Sequence, residues 1–139
     1  LEQAKANFYT GEKTNVPQNI KDTIARAVRA LEENPLEAGS VAAQAVRKFT
    51  DDSPDVFVMI QENDMPWLPK LRSGTSVEKK YLNLLLASFM GGNVRAQLEQ
   101  NICQDMRNAG LASMKKTYAK IREADPSFQL RELEQESKR

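Results

Sequence analysis

The sequence predicts an all-α fold, a compact multi-helix bundle or short array of antiparallel helical hairpins with about six to seven helices. Apolar residues recur at helical spacing along most of the chain, as in Ile20, Ile24, Ala27, Val28 and Leu31. Asn-Gly and Asp-Gly hairpin signals are absent, and no run of alternating strands exists to build a sheet. The short interruptions between periodic segments carry Pro, Gly, Asn and Asp, the residues that stop and restart helices.

Residues 1–16 are polar and lack a sustained period, so they read as an N-terminal arm. A first helix follows, with Pro17 in its opening turn, and stops at Asn34-Pro35. Pro35 cannot continue that helix but suits the start of the next, whose inward residues are Ala38, Ala42, Ala45, Val46 and Phe49. So short a junction predicts an antiparallel hairpin, and the alanines allow its axes to approach closely. Ser53-Pro54-Asp55 has the composition of a helix start. It leads into the apolar run Val56-Phe57-Val58-Met59-Ile60, which could be a buried strand, but no other strand-like segment exists to pair with it. The expectation is a short buried helix.

Residues 63–74 hold two prolines and the single Trp, and should form an irregular linker between halves 17–62 and 75–133 of one domain. Thr75 and Glu78 have the spacing of a capping box. The helix they introduce carries Val77, Tyr81, Leu82, Leu84, Leu85, Leu86 and Phe89, apolar nearly all round, which predicts a central position. Gly91-Gly92-Asn93 should end it and begin another helix bearing Val94, Leu98, Ile102, Met106 and Ala109, with Gly110 as that helix's stop. Leu111, Met114, Tyr118 and Ile121 then form a further helix up to Asp125-Pro126. A weak last one carries Phe128, Leu130 and Leu133, and 134–139 is a polar tail. Asn34-Pro35 and Asp125-Pro126 suggest a repeat, but aligning them leaves the apolar stripes out of register.

The chain has 139 residues, no His and one Cys. That composition removes His-based general bases and triads, His-containing zinc sites and Cys-only metal ligation. No cofactor and no metal site is predicted. Acid pairs such as Asp51-Asp52, Glu32-Glu33 and Glu62 with Asp64 lack the spacing of a calcium loop, so capping and solvation account for them. Cys103 has Arg107 four residues on but no His to activate it, which favours a packed structural thiol. No apolar run reaches the roughly 20 residues of a membrane span. A single thiol favours the cytoplasm, while a chain opening at Leu1 leaves a removed signal peptide open.

Two candidate surfaces remain. Residues 1–64 carry seven basic and eleven acidic residues, and residues 65–139 carry thirteen and eight. Arg107, Lys115, Lys116, Lys120 and Arg122 are therefore candidate phosphate contacts on the basic half. The ordinary alternatives are solvated helix faces, or two halves that attract each other. A helix-turn-helix around Gly110 fits poorly, because Met106 and Lys116 fall where a small residue and an apolar anchor are needed. Gly91-Gly92-Asn93 lacks the strand, third glycine and lysine of a phosphate loop. The second surface is Met65-Pro66-Trp67-Leu68-Pro69, a Pro-stiffened aromatic with Arg72 nearby, so Met65, Trp67, Leu68 and Arg72 are candidate partner contacts. The alternative has Trp67 plugging the space between the halves.

The expected function is a non-catalytic helical module for protein–protein interaction or regulation, binding a protein partner or itself. Nucleic-acid binding through the basic half is the alternative, and a His-free carboxylate enzyme the third reading.

Overall fold

A computed structural model describes residues 16–137, with side chains as far as Glu134. Residues 1–15 of the expected arm 1–16 and the last residues of the tail lie outside that span, while Val16 is buried in the core. The described chain is all-α: α1 Gln18–Glu33, α2 Pro35–Asp52, a 3₁₀ turn Glu62–Asp64, α3 Leu68–Arg72, α4 Ser76–Gln100, α5 Arg107–Ala124 and α6 Arg131–Ser137. There is no strand among the described residues.

Helix α4 is the axis of the bundle, and α1, α2, α3 and α5 all pack on it. Its start is the expected capping box: the Glu78 N–H donates to Thr75 Oγ1 at 3.1 Å, and the Thr75 N–H donates to Glu78 Oε1 at 3.0 Å. The hairpin of α1 and α2 turns on one residue. The Asn34 N–H closes α1 on the Ala30 carbonyl, and its own carbonyl accepts the first bond of α2, from the Ala38 N–H.

The glycines behave differently from expectation. Helix α4 runs unbroken through Gly91-Gly92-Asn93 to Gln100, and α5 runs through Gly110. Neither a C-cap nor a phosphate-binding start exists at 91–93, and no turn lies at Gly110, which removes the hairpin expected there. These glycines mark close contacts between helices. A Cβ on Gly92 would lie 2.4 Å from Ser113 Cβ and 2.7 Å from the Ala109 carbonyl oxygen, and one on Gly110 would lie 2.6 Å from the Phe89 carbonyl oxygen. Gly91 faces the other side, where its Cβ would meet Val28 at 2.8 Å. Each glycine costs its helix about 1 kcal/mol of propensity, which close packing on both sides offsets. The true end of α4 is Asn101, at φ 53°, where the Ile102 N–H returns to the Gln97 carbonyl.

Residues 53–61 also depart from expectation. Ser53 ends α2 rather than starting a helix, and 56–60 lies outside any helix, with Val56 fully buried and Ile60 exposed. Its backbone partners are side chains. Gln97, itself fully buried, accepts from the Phe57 N–H at 3.0 Å and donates to the Phe57 carbonyl at 2.7 Å. Asp105 accepts from the Met59 N–H at 3.1 Å and from Asn93 at 2.7 Å. Asn93 Oδ1 in turn accepts from Gln97 and from the Met106 N–H. Helix α4 thereby supplies to Phe57, through the Gln97 amide, the pair of hydrogen bonds a neighbouring strand would give, and the Asp105 carboxylate before α5 takes the Met59 N–H.

After α5 the chain turns at Pro126 and stays irregular to Leu130, so the last helix begins at Arg131, later than its proline suggests. Phe128 anchors this connector between Tyr81 and Tyr118, with ring centroids 4.6 and 5.9 Å away, and the Leu130 N–H donates to Tyr118 Oη at 2.7 Å.

Candidate functional site

Three of the four candidate partner contacts are core residues. Trp67 and Leu68 are each 2% exposed and Met65 is 0% exposed, so the apolar side chains of the Pro-stiffened segment pack inward, and of the four candidates only Arg72 faces solvent. Alternation of Pro with large apolar residues stiffens a segment without saying which way it faces, and here burial of the indole decided. An exposed Trp67 anchor is thereby ruled out.

The five basic candidates all lie on α5 but do not form one patch. At about 100° per residue, Lys116 and Lys120 fall on one flank, Lys115 and Arg122 on the other, and roughly 100° or more separates them. Arg107 is held by Asp64 through two bonds of 2.7 and 2.6 Å, Arg122 pairs with Glu134 at 2.8 Å, and Lys120 pairs with Glu123 at 3.3 Å. Arg95 holds Glu32 through bonds of 3.1 and 2.8 Å. The Arg107 and Arg95 pairs each join a cation of the basic half to a carboxylate of the acidic half, so the charge asymmetry works within the molecule.

Among the described residues, the carboxyls with a clear shift are lowered and the one such tyrosine is raised, all away from neutrality. Burial alone would raise Glu32, but hydrogen bonding from Arg95, the nearby Ser113 hydroxyl and the charges of Arg95 and Lys116 overcome it and hold the carboxyl low. The hydrogen bond from Arg107 lowers Asp64. Asp125 is lowered by the hydroxyls of Ser127 and Tyr81, whereas burial and that same carboxylate push Tyr81 up, away from service as a base. Cys103 is fully buried. Among the described residues, no three His, Cys, Asp or Glu side chains gather as a metal site, and no helix is long and apolar enough to cross a membrane.

A mainly apolar groove lies on the outer side of the α1–α2 hairpin. It is open, about 420 Å³, and walled by Ile20, Ile24, Ala45 and Phe49, with Thr23, Lys48, Asp52 and Ser53 at its rim. Its floor exists because Ala45 is small, and its walls because Ile20 and Phe49 are only half-buried. One turn before Ala45 stands Val41, 75% exposed, the most exposed large apolar residue described. Sequence reasoning placed Ala45 and Phe49 on the inward face and passed over Val41. The available signal was Val41 itself, a β-branched residue off the apolar stripe of an otherwise regular amphipathic helix.

Compared with protein-family models, with curated proteins and with solved structures, the chain matches none of them.

Proposed function

We propose that this chain is a non-catalytic helical interaction module and that the α1–α2 groove is its docking surface. The observation that carries the reading is the groove's apolar wall beside an outward Val41, on a hairpin whose other face packs against α4 and α5. The exposed parts of these apolar side chains gain nothing in the isolated chain, and a docked partner would remove them from water at roughly 25 cal/mol per Å². The pairing of Arg107, Arg122 and Lys120 with carboxylates weakens the competing phosphate-binding reading, since each pair must open before it can serve a phosphate.

The test is position-specific cross-linking. A photo-activated label on Thr23→Cys, at the groove rim, should form adducts with protein in native lysate whether or not nuclease is added, whereas the same label on Lys120→Cys should form none. Nucleic-acid adducts from position 120 with nothing captured from position 23 would reverse the assignment.

A further inference from the structure

We infer that the occupant of the groove is a second copy of this chain, docked through an antiparallel, two-fold α2–α2 contact. The inference rests on the docking role proposed for the groove and adds the partner. In such a contact the two-fold axis lies in the interface, so residues on one flank of α2 meet the same flank of its partner, running the other way. With the axis passing near residue 43, positions whose numbers add to about 86 face each other.

Three complementary pairs then form at once, each of them twice. Val41, which protrudes, meets the depression over Ala45 in the other copy. Ala38, small and half-buried, meets the half-buried ring of Phe49. Glu37 and Lys48, both exposed, share the outer flank of α2, and each meets its opposite charge. Neither makes an ion pair among the described residues. Helical periodicity supports the same grouping: at about 100° per residue Glu37, Val41 and Lys48 span roughly 40°, with Ala45, Ala38 and Phe49 following around the cylinder toward α1. A heterologous partner would need to match the knob, the depression and the charge order, whereas a second copy brings all of them already spaced.

The experiment is the mass of the full chain by light scattering over a concentration series. A contact of this size is small, so dissociation on the order of 10–100 µM is expected, with mass rising from 15.7 kDa toward twice that value. Val41→Asp should raise the dissociation constant at least tenfold. Glu37→Lys and Lys48→Glu should each weaken association severalfold, and the double variant Glu37→Lys, Lys48→Glu should restore it, because a charge swap made in both positions preserves every cross-pair. A monomer throughout the series overturns the second copy. A dimer indifferent to Val41→Asp overturns this surface, and failure of the double variant to recover overturns the antiparallel register. A monomer that still cross-links a different protein from position 23 would leave the groove's docking role standing, and an adduct from position 23 to residues 1–15 of the same chain would overturn the inferred occupant.

Discussion

The α4–α5 contact and the outer face of the α1–α2 hairpin are both helix surfaces built from small residues, and they use them in opposite ways. Between α4 and α5, Gly92 and Gly110 let backbone meet backbone and leave no clearance for a methyl group. On the hairpin, Ala45 leaves a depression that nothing among the described residues fills. Small residues therefore mark two physical situations, a contact already made and a space left open, and the clearance around each residue tells them apart. Stability should reside in the first region and recognition in the second.

The largest expected effect tests the first half of that contrast. Gly92→Ala or Gly110→Ala should each destabilise the fold by about 3 kcal/mol in urea unfolding, despite a helix-propensity gain of about 1 kcal/mol, because the added methyl meets backbone that cannot yield. Gly39→Ala is the control. Its Cβ would meet only the end of the Leu84 side chain, at 2.6 Å, which can rotate away, so the propensity gain and the repacking should nearly cancel. Equal losses at Gly39 and Gly92 would remove the distinction between rigid and yielding contacts.

Next comes the amide cradle on α4 that holds residues 57–59 beside the first region. Gln97→Ala removes both bonds to the Phe57 backbone and the bond to Asn93, three hydrogen bonds in a part-buried setting, at a cost of about 2 kcal/mol. Amide hydrogen exchange should report it locally, with the Phe57 N–H losing protection by a larger factor than amides in the middle of α4. Uniform loss would mean that 56–60 opens only with the whole fold.

These same places explain how far the sequence could be read. Helix α1, the start of α2 and the capping box of α4 follow from local rules because their determinants are neighbours in the chain: a period, a proline, a Thr-x-x-Glu. A glycine inside a helix contact and a glycine past a helix end have the same local spelling, and only the facing helix distinguishes Gly92 and Gly110 from stops. The irregular segment 56–60 is illegible for a related reason: the Phe57 backbone pairs with the side chain of Gln97, forty residues on, and no strand-pairing rule seeks one. Trp67 had two readings in the sequence, and burial selected the structural one. The groove was hidden because inwardness was assigned by period, which does not resolve a half-buried flank from a core position.

A smaller effect comes from the ion pairs across the charge divide. Glu32 and Asp64 both bind protons more weakly folded than unfolded. Their contribution is complete above the ordinary carboxylate range near pH 4–5 and is lost as pH falls through it toward their folded-state values. Glu32→Gln should flatten that acid limb, with about 1 kcal/mol lost at neutral pH, and Asp64→Asn should do less because the Arg107 side chain is 43% exposed. An acid limb unchanged in Glu32→Gln would place the charge coupling elsewhere.

The smallest expected effect is the most discriminating for the second region. Val41→Asp should change the unfolding free energy by no more than about 0.5 kcal/mol, because a side chain 75% exposed loses little when its methyls are replaced by a solvated carboxylate. A shift of 2 kcal/mol or more would mean that Val41 already packs within its own chain, and its protrusion beside the Ala45 depression would no longer distinguish this face from the α4–α5 contact. A silent Val41→Asp in unfolding that nonetheless abolishes association separates the regions outright: one substitution would then act on recognition alone, as Gly92→Ala acts on stability.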